Sequence, residues 1–237
     1  MKEYIRSFRT LAAYSTIKQE IYMITVFFAV FAACATSLCF LEDGSDLKSF
    51  MLGVTPMLCV LVPVASITLL QQIFNCNNPI IPGYKYFHSI SDSAAKFRRG
   101  IMVGNIIVIL ITALNWIIVS IFSQFVISSG AEMFYSSMNT FAPCLSLAMM
   151  AIVNFTGFFK STLARLLFIL PACVMGGFVG GFSAGYEDEA AAEFSTGAIT
   201  AVALAVCAAA AAGGIVFSAL NAEKQWNKEG EKIEKRA

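Results

Sequence analysis

Six stretches free of Asp, Glu, Lys, Arg and His divide this chain: 21–41, 49–74, 101–127, 133–159, 166–186 and 194–222. Each reaches the roughly 20 residues that a helix needs to cross the hydrocarbon core of a bilayer. Lipid offers the backbone no hydrogen-bond partners, so a spanning segment must be a helix or part of a closed barrel. The apolar residues run on continuously rather than alternating, which excludes the barrel. The expected fold is an all-α membrane protein with six transmembrane helices. Composition agrees: hydrophobic residues are 58% and charged residues 13% of the chain, against about a quarter charged in soluble domains.

The charges predict an orientation. Lys2, Arg6, Arg9, Lys18, Lys85, Lys96, Arg98, Arg99, Lys160, Arg165, Lys224, Lys228, Lys232, Lys235 and Arg236 all fall on the side that carries both termini. Lys48 is the basic residue of the opposite side, where Glu42, Asp43, Asp46, Glu132, Glu187, Asp188, Glu189 and Glu193 form an acidic rim. An excess of Lys and Arg in short loops marks the cytoplasmic face. Both termini and the loop between spans two and three are therefore expected in the cytoplasm, with the chain multi-pass. The near-neutral total charge hides this asymmetry and gives no reason to expect nucleic acid as a partner.

Residues 1–18 read as an amphipathic helix lying in the interface, with Tyr4, Ile5, Phe8, Leu11 and Ala12 on one face and Lys2, Arg6 and Arg9 opposite. The alternative is a frayed, positively charged leader. Residues 19–222 hold the spans, and 223–237 read as a solvated, charged tail. The first span is too long for the apolar region of a secretion signal, and five more follow it, so it is read as retained. Prolines stand at 56, 63, 143 and 171 inside apolar runs, where they bend helices. "GGFVGGFSAG" in span five and "AAAAAGG" in span six offer small surfaces for close helix packing. Cys34, Cys39, Cys59, Cys144, Cys173 and Cys207 fall inside spans and Cys76 at the cytoplasmic side, so a disulfide framework is not expected.

Span three places Asn105, Thr112 and Asn115 on one side of a helix. Polar groups at membrane depth need partners, so these three either line a translocation path or bond between helices. Asn154–Phe155–Thr156 has the form of a glycosylation acceptor but lies within span four and is set aside. No acid, base or histidine sits in the middle of a span. Such a charge costs about 2.5–3.5 kcal/mol to insert and is kept for use. Its absence argues against a proton antiporter, a pump or a voltage sensor. A serine protease in the membrane would need a histidine base, and the chain's one histidine, His88, is in a loop. There is no clustered ligand set for a catalytic metal and no GxxxxGK[ST] loop for nucleotide phosphates. The chain is read as having no catalytic motif and no bound cofactor of its own, and any energy must come from a partner.

The loop "PGYKYFHSISDSAAKFRRG", residues 82–100, concentrates what chemistry there is. Pro79, Pro82 and Gly83 break the preceding span. Residues 84–90 suit a short helix, and Ser91 or Asp92 offers an N-cap for a basic helical base leading into span three. Tyr84, Phe87 and His88 gather on one side of the short helix, with Tyr86 and Ile90 beside them. Such an aromatic surface flanked by bases suits insertion into a protein groove. The competing reading is an interfacial aromatic belt.

An interfacial N-terminal helix, six spans with both ends inside and this loop between spans two and three together resemble the membrane subunits of ABC-2-type exporters. "PGYKYFHSISDSAAKFRR" is similar to the "GxKxFRSLP" coupling segment of bacterial members, including permeases of peptide-toxin and bacteriocin-immunity exporters. His88 stands where Arg is frequent, and "SIS" replaces the Leu-Pro end. The resemblance implies a permease that works beside a second permease copy, identical or related, with two ABC ATPase subunits clamped beneath. It implies that Tyr84, Lys85, Tyr86, Phe87, His88, Ser89 and Ile90 form the coupling helix that contacts the ATPase, with ATP and Mg²⁺ held by that partner. The cargo it implies is an amphipathic peptide or a lipid-like molecule. Two other readings stand beside it: the substrate-binding subunit of an energy-coupling-factor importer, for which Ala29 and Ala33 give span one a small docking surface, and a membrane assembly or immunity protein with no transport activity.

Overall fold

A computed structural model describes residues 2–12, 14–38, 40, 66–80, 83–126, 132–159 and 196–234. Among these residues the regular structure is helical throughout, with no strand. In chain order the helices are α1 (Lys2–Leu11), α2 (Tyr14–Leu38), α3 (66–75), α4 (Tyr84–Ser89), α5 (Ser93–Val126), α6 (Glu132–Thr156) and α7 (Thr196–Glu234).

Two helical stretches are long and apolar enough to cross a membrane: Ser93–Ile118 within α5 and Ala201–Glu231 within α7. Shorter apolar helices run over Ile21–Cys34 and Pro143–Thr156, the latter starting at the proline inside α6. Of expected span two only 66–74 is described. Expected span five, with its glycine pairs and Pro171, lies outside the described residues, as do Pro56 and Pro63.

The 34 residues of α5 and 39 of α7 correspond to about 50 and 60 Å of helix, well over the roughly 30 Å of a hydrocarbon core. Each is therefore longer than such a core requires. The charged residues gather at one end of each: Lys96, Arg98 and Arg99 at the start of α5, and Glu223 onward in α7. The helix runs from the apolar stretch through residues 223–234 without a break.

The bundle packs α6 against α7, with α5 against both, and α1 lies across the start of α5. Small residues permit the close approaches. A Cβ on Gly214 of α7 would come within 3.2 Å of the Ala151 carbonyl of α6, so the alanine- and glycine-rich face of span six does bring the two backbones together. On α5, a Cβ on Gly100 would meet Leu11 of α1 at 2.6 Å, and one on Gly104 would meet Ile73 and Leu70 of α3 at 2.9 and 3.1 Å. Gly100 and Gly104 form a small-xxx-small pair that receives both neighbours.

The buried apolar cluster draws on α1, α3, α5, α6 and α7, and includes Phe8, Leu11, Leu70, Ile73, Phe74, Phe97, Ile101, Met150 and Trp226. Phe74 stands edge-on to Phe97 and to Phe158, with centroids 6.3 and 5.3 Å apart. Helix α1 is amphipathic, with its buried line made by Ser7, Phe8, Leu11 and Ala12, while Tyr4 and Ile5 stay largely exposed. Arg99 reaches back to it, pairing with Glu3 at 3.3 Å and lying 5.7 Å over the ring of Tyr4. Cys76 donates to the Leu11 carbonyl at 3.3 Å, meeting one of the carbonyls that a helix end leaves unbonded.

Candidate functional site

The loop between α3 and α5 contains the short helix expected at 84–90, and its boundaries have local causes. Gly83 adopts φ 91°, a left-handed conformation that suits glycine. The chain leaves the helix at Ile90, which is extended. Asp92, at φ 56°, occupies the same left-handed region, which Asp tolerates better than most residues. Its carbonyl accepts from the Lys96 amide at 3.0 Å, and α5 begins.

The helix faces differently from the expectation of an aromatic side turned to the solvent. Tyr84 is buried, Phe87 packs against the apolar cluster and His88 is half-buried. They are held by the far end of the chain. The His88 ring lies flat on the indole of Trp226, 4.0 Å between centroids at 13°, and Tyr84 leans on His88 at 4.6 Å. The Tyr84 hydroxyl donates to the Glu229 carbonyl at 3.2 Å and lies 3.5 Å from that residue's Oε2. Trp226 continues the stack onto Phe97 at 4.5 Å and donates its Nε1–H to Ser93 Oγ at 2.8 Å. His88 Nε2 and Asn77 Oδ1 are 3.2 Å apart, which fits the neutral tautomer protonated at Nε2. Burial pushes the His88 imidazole below the ordinary histidine range, and the Glu229 carboxylate, acting the other way, does not offset it.

What remains outward on α4 is the edge made by Lys85, Tyr86 and Ser89, with Ile80 on the preceding turn. Tyr86 is 66% and Ile80 76% exposed, large apolar surfaces for a position outside the spans. The Ser89 hydroxyl donates back to the Tyr86 carbonyl at 2.8 Å.

The basic base of α5 does more than set a charge bias. Arg98 pairs with Glu223 of α7 at 3.0 Å, and Lys96 donates to the Ser91 carbonyl at 2.8 Å. At such exposure the Arg98–Glu223 pair, like Arg99–Glu3, contributes at most about 1 kcal/mol. The two pairs help fix which helices lie beside α5.

Deeper in the bundle, Asn105 exchanges two amide hydrogen bonds with Asn154 of α6, at 3.1 and 2.7 Å, and Ser218 of α7 donates to Asn154 Oδ1 at 2.6 Å. Thr112 and Ser146 share a hydrogen bond at 2.6 Å. Asn115 is buried on the same helix. Asn105 and Thr112 thus bond between helices, with Asn154, set aside in the sequence as a false glycosylation site, at the centre of three of them.

Trp226, Glu229, Asn154 and Ser218 were missed by reasoning from sequence. A signal existed for the first: Ala222, Trp226 and Ile233 recur at helical spacing within a tail whose charges drew attention away from them. Among the described residues no group of three His, Cys, Asp or Glu side chains could hold a metal ion. No protein-family model, no curated protein and no solved structure matches this chain.

Proposed function

We propose that the chain is the permease subunit of an ABC exporter in a bacterial inner membrane. In this reading it has six spans and both termini in the cytoplasm, and works as a dimer of permeases over two ATPase subunits. ATP and Mg²⁺ belong to those subunits, which dock on α4. Closure of the ATPases draws the two copies of α4 together and opens a path between the permeases toward the outside. The cargo is an amphipathic peptide or a lipid-like molecule.

The supporting observation is the two-sided character of α4. Its inner residues fix it to the bundle, while Lys85, Tyr86 and Ser89 are exposed, Tyr86 at 66%. An aromatic ring beside a lysine, on a helix held rigidly from behind, is the arrangement that an anchor residue at a protein interface uses. The test is co-expression of the tagged chain with the ATPase of the neighbouring reading frame. A stable complex is expected, and Tyr86→Ala should weaken it at least tenfold. Lack of a complex with the unaltered chain would sink the proposal.

One observation favours the importer reading: Ala29 and Ala33 are both exposed on α2, a small-residue face open to another helix. If that face is the docking site, Tyr86→Ala leaves ATPase capture unchanged and Ala29→Leu abolishes it.

A further inference from the structure

A six-residue helix is far too short to hold its shape alone, so contacts impose the form and place of α4. Two of its three inward side chains, Tyr84 and His88, rest on the end of α7, on Trp226 and Glu229. α7 runs close beside the ring: a Cβ on Gly230 would stand in ordinary van der Waals contact with His88 Nδ1, at 3.5 Å. The same stretch is tied to the base of α5 by Trp226 on Ser93 and Phe97 and by Glu223 on Arg98. From this grip α7 runs without interruption into its membrane-spanning part. Two turns below Trp226, Ser218 bonds Asn154 of α6, which bonds Asn105 of α5. An α-helix is stiff along its axis, and packed interfaces shift as units rather than deforming.

We infer that residues 222–230 are a clasp that makes α4 a working part of the bundle, so that a push on α4 reaches α7 and, through Ser218, Asn154 and Asn105, the other two helices. Trp226 and Glu229 are its positioning residues. The inference rests on the exporter reading only for the identity of what pushes. The clasp itself rests on the contacts.

The experiment has one readout that needs no partner and one that does. Hydrogen exchange is measured on the full chain in lipid nanodiscs, unaltered and as Trp226→Ala, Trp226→Phe and Tyr84→Phe. Trp226→Ala should speed exchange of the α4 amides at least tenfold, equivalent to about 1.4 kcal/mol. Trp226→Phe keeps a ring against His88 but loses the bond to Ser93, and should fall between. These milder variants, with Tyr84→Phe, carry the test if the alanine variant does not fold. With the ATPase bound, Trp226→Ala should retain capture, because the outward edge is untouched, yet lose most of the stimulation of hydrolysis by cargo. Exchange of α4 within twofold of the unaltered chain in every variant overturns the clasp. Faster exchange with normal cargo stimulation overturns the transmission. Faster exchange in a chain that captures no ATPase supports the clasp and removes the exporter reading instead.

Discussion

Asn105 of α5 and Asn154 of α6 hold each other's side-chain amides in a reciprocal pair at 3.1 and 2.7 Å, and Ser218 of α7 completes the group on Asn154 Oδ1. Both asparagines are buried, so neither has water to fall back on. Asn154→Leu leaves the Asn105 amide and the Ser218 hydroxyl without this partner, whereas Asn105→Leu leaves the Ser218 bond standing. Hydrogen bonds between membrane helices are worth about 0.6 kcal/mol on average and up to about 1.7. Asn154→Leu should therefore cost about 1–2 kcal/mol in detergent unfolding, and Asn105→Leu less. The double variant should cost less than the sum, since it leaves no stranded amide of the pair. Strict additivity would show that the pair is not a unit.

The glycines divide by what they face. A Cβ on Gly157 would lie 2.6 Å from Phe74 ring carbons and 2.7 Å from the Val153 carbonyl. Neither yields cheaply, because one is a packed ring and the other backbone. On Gly100 the clash at 2.6 Å is with the tip of Leu11, which can turn away, and alanine in a helix regains up to about 1 kcal/mol over glycine. Gly157→Ala should destabilise by about 1–3 kcal/mol, while Gly100→Ala should be close to neutral. Thermal unfolding of the two variants side by side checks this, and the reverse order would mean that the Leu11 contact is the tighter one.

Residue patterns showed the parts of this fold that follow from periodicity and charge. The long uncharged runs showed α5 and α7, the alternation of Phe8, Leu11 and Ala12 with arginines showed α1, and Gly83 marked the start of α4. What they did not show was which way α4 faces. A short helix with aromatics on one side and Lys85 and Tyr86 near the other can dock inward or outward, and only a partner distant in sequence decides. That partner is Trp226, in a segment whose charges dominate any local reading. The GxxxG at 100–104 was legible but stood beside richer glycine pairs in span five. Asn154 was discounted because its sequence context suggested a modification not expected within a span, although its burial among the helices is the reason it needs Asn105.

Cys76 gives a chemical handle on the seat of α1. Its thiol is buried against Leu11, and burial pushes it up to about 12. Maleimides react with the thiolate, so the reactive fraction at pH 8 is about one part in ten thousand, against about a quarter for an ordinary thiol near 8.5. A chain retaining only Cys76 should resist labelling for hours at pH 8. Leu11→Ala keeps the backbone carbonyl but removes the side chain that seats α1 in the apolar cluster and against Gly100, and should speed labelling by at least tenfold. Rapid labelling of the unaltered site would place α1 elsewhere than against this residue.

The clasp should also feel pH, and the sign follows from His88. The clasped imidazole titrates below its ordinary value of 6.5, because burial against Trp226 and Tyr84 disfavours the charged form more than Glu229 favours it; Asn77 supplies a neutral partner. Above pH 6.5 the ring is neutral whether clasped or released, and the full contact stability is present. As pH falls below 6.5 the released form gains a proton that the clasped form resists, and stability is lost through the depressed clasped-state value. The chain has two tryptophans, Trp116 and Trp226, so Trp116→Phe leaves emission to the clasp alone. That emission should hold steady from pH 8 to about 6.5 and then shift to longer wavelength as Trp226 meets water. His88→Gln, which cannot take the proton, should flatten the curve. An acid shift that persists unchanged in His88→Gln would show that His88 is not the group that titrates.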